Sequence, residues 1–378
     1  MEEREKILLW LRLSQVKGLG AITIYRLFQH FQDIERIFSA SENQISEIGG
    51  IKKGVIQELK NPEYKEWAKK ELDKAEKLGV ELVALDSEDY PENLAQIPDP
   101  PAILYIKGKL KKEDKKAVAI VGSRNNNEYG EVMAKRIGSG LAKFGITVIS
   151  GMARGIDSIS QQSALDAGGR SVAVLGSGVD VIYPEEMAGL YQRLIEQGAV
   201  ISEFPLGTGP QAQNFPNRNR IISGLSMGVV VVQATNPKSG ALITARLALE
   251  QNRGLYAVPG NAGTIWSKET NNLIKQGAIL VESAEDLVSD LYPALAMKPE
   301  QLGPLFGAKA EGSNLTEPLE NLYSLIPEPE EGSVEMDLLI RKSGLEANLV
   351  QSFLVELELY GLIEKLPGGK WRKKQIAE

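Results

Sequence analysis

The chain has 378 residues, of which 43% are hydrophobic and 25% are charged. This length suits two or three domains, and this composition excludes a collagen, a long coiled coil and a wholly disordered chain. With no cysteine and one histidine, disulfide frameworks, thiolate metal sites, cysteine nucleophiles and multi-histidine metal cages are excluded. Since the formal net charge is −7, any nucleic-acid interface has to be a local basic patch.

Nothing in the sequence indicates a membrane anchor or an export signal. No apolar run approaches the roughly 20 residues of a membrane-spanning helix. The first six residues, MEEREK, lack the basic start of a signal peptide. We therefore expect a cytoplasmic protein.

In residues 1–62, short helical patterns alternate with glycine turns. The segments VKGLG at 16–20 and IGGI at 48–51 each precede an apolar helical pattern. Both resemble the turns of helix-hairpin-helix or SAM-like domains, whose glycine N–H groups can hold a phosphate of nucleic acid. A small helical domain that contacts protein is an equally good interpretation. The single histidine, His30, lies within such a pattern, and we expect a structural role for it.

Residues 63–291 form the predicted central domain. It starts with a charged helix at 63–78 and a strand at 80–85, and from Ala117 short β-branched runs alternate with longer helical stretches. This alternation predicts an α/β fold with a doubly wound, mostly parallel, extended Rossmann-like sheet. The further strands are predicted at 117–121, 146–150, 171–175, 199–202, 228–233, 255–258 and 278–281. The helices between them are predicted at 129–144, 157–167, 185–197, 219–226, 241–252 and 269–276.

Glycines follow the carboxyl ends of several of these strands. They stand at Gly122, Gly151, Gly176, Gly178 and Gly260. Open α/β sheets bind ligands at this edge, where helix N-termini and backbone N–H groups face outward. We therefore expect the functional face there.

Residues 292–316 mix Pro, Gly, Ala, Lys and Glu without periodicity, which predicts a linker. Residues 317–378 then show three helical patterns and a hairpin that turns through Pro367-Gly368-Gly369, an order typical of a winged helix. Its third helical pattern is acidic and has no Lys or Arg, so protein contact is favoured over DNA contact. Only the wing is basic, at Lys370, Arg372, Lys373 and Lys374.

The glycine-rich turns do not match common nucleotide-binding fingerprints. Gly122-Ser123-Arg124 continues into three asparagines, and the turn at 176–181 has Val181 where a dinucleotide fold needs its third glycine. No P-loop pattern is present. A nicotinamide, flavin or NTP-hydrolysing enzyme is therefore disfavoured, and we expect no cofactor.

Several strand–helix junctions carry groups that attract anions. The segment NFPNRNR at 214–220 combines an aromatic ring with two cations, a pattern that suits a single strand through base stacking and backbone contacts. The alternative is a buried Phe215 with Arg218 and Arg220 in ion pairs. Arg154 is either a phosphate ligand or a partner of Asp157, and the segment at 238–244 offers Lys238, Ser239 and Thr244 at a helix start. No histidine base or metal-binding carboxylate cluster indicates catalysis or a metal site.

These segments together resemble the DNA-processing protein A family, DprA, also called Smf. The resemblance rests on IVGSR (120–124), SGMARGID (150–157), AVLGSGVDVIYP (173–184), GAVISEFPLGT (198–208), NFPNRNRIISGLS (214–226), SGALITARLALE (239–250) and YAVPG (256–260). It implies a non-enzymatic homodimer that binds and protects single-stranded DNA in natural transformation and loads the recombinase RecA onto it for recombination. The implied DNA-binding residues are Gly122, Ser123, Arg124, Arg154, Ser177, Gly178, Phe215, Arg218, Asn219, Arg220, Lys238, Ser239, Gly240 and Thr244.

Two positions depart from the family pattern. Gln161 stands where the family usually has a histidine, and Glu269 stands where a glycine turn is expected. A second resemblance, to lysine-decarboxylase-like enzymes that cleave nucleoside monophosphates, is more distant. Such an enzyme needs a carboxylate beside the glycosidic bond, and Glu250 lies ten residues past Gly240, farther than that family's motif allows.

Overall fold

The computed structural model describes residues 3–48, 51, 54–293, 317–328, 332–359, 362–366 and 370–374. Contacts divide the chain into two compact units, Met1–Lys298 and Pro299–Glu378. Most of the predicted linker 292–316 lies outside the described residues, as do Gly49, Gly50 and the turn at 367–369. The domain boundaries given above therefore stay predictions.

Six helices precede the sheet, and the first and the last of them contact its first strand. Val16 to Gly20 form the turn between the first two, and Gly18 has a φ of +87°, a conformation that L side chains rarely adopt. Trp10 is fully buried, and its Nε1 donates a hydrogen bond to Asp86 Oδ1 at 2.7 Å. His30 is exposed, and its ring centroid lies 4.8 Å from that of Phe31, so its expected structural role stays a prediction. The helices are α1 (Glu3–Gln15), α2 (Ala21–Phe31), α3 (Ile34–Ser39), α4 (Glu42–Ser46), α5 (Gly54–Leu59) and α6 (Pro62–Lys77).

The predicted α/β architecture is confirmed. A nine-stranded sheet has the order β1-β2-β6-β5-β4-β3-β7-β8-β9, in which β2 pairs antiparallel with β1 and β6 and all other neighbours are parallel. The strands are β1 (Glu81–Ala84), β2 (Ile103–Gly108), β3 (Ala117–Val121), β4 (Thr147–Ser150), β5 (Ser171–Val174), β6 (Ala199–Ser202), β7 (Gly228–Val231), β8 (Gly254–Ala257) and β9 (Ile279–Leu280).

Helices cover both faces of this sheet, so its central strands are buried throughout, as their unbroken β-branched runs predict. They are α7 (Glu92–Ala95), α8 (Glu128–Lys143), α9 (Ile156–Asp166), α10 (Ala188–Gln197), α11 (Asn214–Leu225), α12 (Gly240–Glu250), α13 (Lys268–Lys275) and α14 (Ala284–Leu291). Among the residues that the structure describes, no helix of either unit is long and apolar enough to span a membrane.

The strand order reverses between β3 and β7. From β3 the chain builds outward through β4, β5 and β6, and then returns to place β7 on the other side of β3. Loops that leave the two strands at such a reversal diverge, which opens a crevice at their carboxyl ends. The topology therefore predicts a crevice beside Val121 and Val231.

Helix α11 begins five residues earlier than predicted, at Asn214 instead of Asn219. Pro216 occupies its third position, where a proline is tolerated because the first N–H groups of a helix have no intrahelical partner. The NFPNRNR segment is thus helical and not a loop. This difference sets the spacing of its side chains at the site.

The second unit is a winged helix, as predicted. Its helices and its three-stranded sheet, with the order β10-β12-β11, enclose a core that contains Leu322, Leu339, Leu354 and Trp371. Within the described part, three basic wing residues are matched by acids: Lys370 by Glu335, Arg372 by Glu364 and Lys373 by Glu328. The elements are α15 (Glu317–Ser324), β10 (Val334–Glu335), α16 (Met336–Ser343), α17 (Ala347–Leu359), β11 (Ile363–Leu366) and β12 (Lys370–Lys373).

Arg220 holds α11 to the rest of the sheet domain. Its Nε lies 3.3 Å from Asp99 Oδ2, and its Nη2 donates to Glu203 Oε2. Asp99 belongs to the proline-rich connection and Glu203 to the loop after β6, so one buried guanidinium joins three segments. Burial raises the pKa of both carboxyl groups, and the Arg220 charge opposes this rise.

We expect Arg220→Met to lower the free energy of unfolding at pH 7 by about 3–5 kcal/mol, because two buried carboxylates lose their cation. Their folded-state pKa values should then rise further above the unfolded values. A carboxyl group with a raised folded-state pKa destabilises the folded state only where it is ionised, so this cost is absent at low pH and appears as pH rises. The difference in unfolding free energy between Arg220→Met and wild type should therefore be smaller at pH 5 than at pH 7. Urea denaturation at both pH values measures this. The exposed control Arg136→Met should change stability by less than about 0.5 kcal/mol; equal effects of the two variants would contradict the role of Arg220.

Candidate functional site

A cavity of about 490 Å³ opens at the crevice between β3 and β7. Its walls come from the turn after β3, the start of α9, the loop before α11 and the starts of α11 and α12. Seven residues predicted as site residues line it: Gly122, Arg124, Phe215, Arg218, Asn219, Gly240 and Thr244. Other lining residues include Asp157, Tyr183, Pro210, Pro216, Ile222 and Ala241.

One face of α11 forms much of the wall. Phe215, Arg218, Asn219 and Ile222 recur at intervals of three and four residues, which places them on one side of a helix. An extended loop would turn alternate residues away from each other. The early start of α11 is therefore what brings the aromatic ring and Arg218 to the same cavity.

Two strand-end glycines make room for these side chains. A Cβ added at Gly151 would overlap the guanidinium of Arg218, and one at Gly176 would lie 3.0 Å from the ring of Phe215. Asn214 Nδ2 also donates to the carbonyl oxygen of Gly176 at 3.1 Å, which fixes the first turn of α11. The glycines after β4 and β5 thus serve side-chain packing and do not themselves line the cavity.

Arg218 is a buried cation that has no ion-pair partner among the residues that the structure describes. It is only 4% exposed, and its Nε has no hydrogen-bond partner. Burial lowers its pKa to about 10, the charge of Asp157 opposes this, and the charge of Arg124 adds to it. Burial raises the pKa of Asp157, which accepts a hydrogen bond from the Gly151 N–H at 3.2 Å. Arg218 therefore stays charged at neutral pH and is held by packing more than by pairing.

An aromatic pair stands beside these cations. The rings of Tyr183 and Phe215 have centroids 5.8 Å apart and are tilted by 50°. The guanidinium carbons of Arg124 and Arg218 lie 5.7 and 5.9 Å from the Phe215 centroid. Tyr183 was not among the predicted site residues. The sequence could have indicated it, because it is an aromatic residue within the segment 173–184 that resembles the family. The pair offers apolar surface where a base can stack, next to charges that suit phosphate.

The start of α12 also faces the cavity. Ser239 occupies the N-cap position, but its side chain does not cap the helix and its Oγ is buried without a partner. The N–H groups of Gly240 and Ala241 precede the first intrahelical hydrogen bond and have no partner within the helix. Asn219 Nδ2 donates to the Gly240 carbonyl oxygen at 3.2 Å, which ties α11 to this helix start. Such an end attracts anions.

The structure places the other predicted site residues outside the lining of this cavity. Arg154 pairs with Glu186 and not with Asp157, and its role as a phosphate ligand stays a prediction. Arg220 lies in its ion-pair cluster. Three others make local hydrogen bonds: Ser123 Oγ donates to the Asn125 carbonyl oxygen, Ser177 Oγ to the Val181 carbonyl oxygen, and the Gly178 N–H to the Thr208 carbonyl oxygen. Lys238 is exposed in the turn before Ser239.

Both departures from the family pattern have structural roles. Gln161 is fully buried, accepts from the Met152 N–H at 3.1 Å and donates to the Val172 carbonyl at 3.2 Å. Glu269 is buried near the start of α13, away from this cavity. Glu250, the carboxylate that the enzyme alternative needs, is exposed at the last residue of α12 and does not line the cavity.

A larger groove of about 770 Å³ lies between α8, α9 and α10, away from the strand ends. Its cations, Lys135 and Arg136, are balanced by the carboxylates Asp166 and Glu186. It has neither an aromatic pair nor an unpartnered buried cation. The smaller cavity is therefore the candidate functional site. Among the described residues, no group of three or more His, Asp or Glu side chains is arranged to hold a metal ion.

The fold and the cavity define a Rossmann-like domain with a crevice lined by Arg124 and Arg218, followed by a winged helix. Residues 81–292 match the family of DNA recombination-mediator protein A, and residues 309–369 match the DprA winged helix domain. The chain belongs to the DprA family, also called Smf.

Individual relatives agree with this family assignment. The protein Smf of Synechocystis sp. is 33% identical over 97% of this chain and 98% of its own. The X-ray structure of DprA from Streptococcus pneumoniae has a TM-score of 0.66 at 30% identity, covering 77% of this chain and 98% of that chain. DprA from Helicobacter pylori, whose structure is described for its single-stranded DNA binding mode, has a TM-score of 0.51 at 29% identity, covering 57% and 97%.

We expect Gly151→Ala to lower the free energy of unfolding by about 1–3 kcal/mol, because the added methyl group overpacks the space that holds the Arg218 guanidinium. The matched control is Gly189→Ala on the surface of α10, where an added Cβ meets no atom within 4 Å. Alanine should stabilise that helix slightly. Urea denaturation of both variants measures the difference. A Gly151→Ala protein as stable as wild type would contradict the close packing of Arg218.

Proposed function

We propose that this protein binds single-stranded DNA in the cavity between β3 and β7, protects strands taken up in natural transformation, and loads RecA onto them for recombination. The observation that carries the binding proposal is the meeting of Phe215, Arg124 and Arg218 with the start of α12 in one cavity. The relation to the Helicobacter pylori protein, solved for its single-stranded DNA binding mode, supports it.

Each group has a distinct task in this proposal. Phe215 is partly exposed and stacks a base, while Arg124 is exposed at the rim and contacts the backbone. Arg218 and the start of α12 supply positive potential deeper in the cavity. Stacking and phosphate charge discriminate weakly among sequences, so binding is expected to depend on salt and hardly on base identity.

The site suits binding better than catalysis. Among the described lining residues, Asp157 is the only carboxylate, and it is buried and engaged by the Gly151 N–H. A glycosidic-bond hydrolase needs a carboxylate free to approach its substrate. We therefore propose a DNA-binding protein that is not an enzyme, with no cofactor.

The homodimer and the cytoplasmic location are further parts of the proposal. Strand β9 is an edge of the sheet, and both of its side chains, Ile279 and Leu280, are about half exposed (45% and 47%). An unpaired edge with apolar side chains favours association with another surface. This feature supports a second copy of the chain as the occupant of that edge.

We expect Arg124→Ala and Phe215→Leu each to weaken binding of labelled oligo-dT by about fivefold to 100-fold, because one loses a phosphate contact and the other about 1–3 kcal/mol of stacking. Fluorescence anisotropy across a salt series measures this. Arg124→Ala should also flatten the dependence of affinity on salt, whereas Phe215→Leu should not.

The matched control is Arg136→Ala, which removes an exposed arginine of α8 outside the cavity. It should leave affinity and salt dependence near wild type. If wild type fails to bind single strands at low salt, or if Arg136→Ala weakens binding as much as Arg124→Ala, the cavity is not the DNA site.

RecA loading has its own test, because DNA binding alone does not imply it. RecA is added to single strands already coated with a single-stranded DNA-binding protein, and the lag before its DNA-dependent ATP hydrolysis is recorded. Wild type should shorten the lag, and Phe215→Leu should shorten it less at equal concentration. An unchanged lag at saturating wild-type protein would reject loading while leaving DNA binding intact.

A further inference from the structure

Two irregular loops carry part of the cavity wall. The β5 loop, residues 175–184, contains Tyr183, and the β6 loop, residues 203–213, contains Pro210. The β6 loop also leads directly into α11, whose second residue is Phe215. The placement of the two aromatic rings of the cavity therefore depends on how these loops are held.

The two loops are hydrogen-bonded to each other. The Gly178 N–H donates to the Thr208 carbonyl oxygen at 2.9 Å. The Gly207 N–H donates to Asp180 Oδ1 at 2.7 Å. A Cβ added at Gly178 would lie only 2.6 Å from the Pro205 carbonyl oxygen, so the two backbones are in close contact. Because the loops are joined in this way, a displacement of one displaces the other.

Helix α6, none of whose described residues lines the cavity, holds this pair of loops. Glu71 is 7% exposed, and its Oε1 accepts a hydrogen bond from the Leu206 N–H at 2.7 Å. Three residues further along, on the same face of the helix, Lys74 Nζ lies 3.3 Å from Asp180 Oδ2. Asp180 thus accepts from Gly207 with one oxygen and pairs with Lys74 through the other. We call Glu71, Lys74 and Asp180 the loop clamp.

Helix α6 is a firm support for this clamp. Its buried side chains, among them Ala68 and Leu72, belong to the hydrophobic core. Arg4 of α1 also donates to Asp73 Oδ1 at 3.1 Å. Residues 207–213 of the β6 loop, in contrast, are mostly exposed. An exposed loop has few contacts of its own, so the position of this stretch depends on the clamp beside it.

We propose that Glu71 and Lys74 are positioning residues for DNA binding. Without contacting the strand, they hold the two loops in the arrangement that places Tyr183 beside Phe215. The inference rests on the proposed function, because it takes the cavity as the site of a single strand. It goes beyond that function by giving a helix outside the cavity a part in DNA binding.

The affinity for a strand should fall in proportion to the population of the clamped arrangement, which fluorescence anisotropy of labelled oligo-dT with the full-length protein measures. Glu71→Met removes the acceptor of the Leu206 N–H and should weaken binding about fivefold to 20-fold. Lys74→Met removes the cation beside Asp180 and should weaken binding about threefold to fivefold. Glu71→Gln keeps an oxygen that can accept from the N–H, and should bind like wild type.

Two further readouts separate positioning from direct contact with the strand. Because neither clamp residue of α6 touches phosphate, the dependence of affinity on salt should be the same in Lys74→Met as in wild type. A strand that contains 2-aminopurine reports stacking, because stacking on an aromatic ring quenches its fluorescence. At saturating protein, this quenching should be weaker in Glu71→Met than in wild type. Glu71→Met and Tyr183→Leu together should weaken binding by less than the product of their separate effects.

The matched control is a buried carboxylate at the opposite edge of the sheet. Asp114 Oδ2 accepts from Arg170 Nη2 at 2.8 Å, and its Oδ1 accepts from Thr147 Oγ1 at 2.7 Å, beside the amino ends of β4 and β5. Arg170→Met should destabilise the protein at least as much as Glu71→Met, because a buried carboxylate loses its cation. It should leave affinity and quenching at wild-type values. Urea denaturation establishes which variants are folded under the binding conditions.

The outcomes separate this inference from the proposed function. If folded Glu71→Met and Lys74→Met proteins bind strands like wild type, the inference is overturned and the proposed function stands. If Glu71→Met does not fold, Lys74→Met decides alone, since its side chain is 43% exposed. An equal loss of affinity in Arg170→Met or in Glu71→Gln would also overturn the inference, as would a flatter salt dependence in Lys74→Met, which indicates a direct phosphate contact. If wild type binds no strand, both the inference and the proposed function fail.

Discussion

Helix α11 is anchored by two buried guanidinium groups, and the site depends on this anchoring. Arg220 joins the helix to Asp99 and Glu203 on one side, and Arg218 fills the space above Gly151 on the other. Because the helix is held at both positions, Phe215 is presented at a fixed place in the cavity.

The two arginines serve opposite purposes although they are two residues apart. Arg220 has two carboxylate partners and therefore contributes to the architecture. Arg218 has none within direct contact, and its charge remains available to a ligand. The difference comes from helical geometry, since residues separated by two positions lie on different faces of a helix.

The overall negative charge of the chain is compatible with a site for polyanions because the cations that matter are local. The potential at the cavity comes from Arg124, Arg218 and the α12 helix start, while three described basic residues of the wing are paired with acids.

The sequence by itself determined the fold class, the strands of the central sheet, the winged helix and the edge at which the site lies, because burial periodicity and strand-end glycines are local signals. Only the tertiary structure decided which cations line the candidate cavity. Arg154, Arg218 and Arg220 look alike in sequence, yet Glu186, the partner of Arg154, and Asp99 and Glu203, the partners of Arg220, come from distant segments. Side-chain pairing depends on long-range contacts, and no local pattern encodes it.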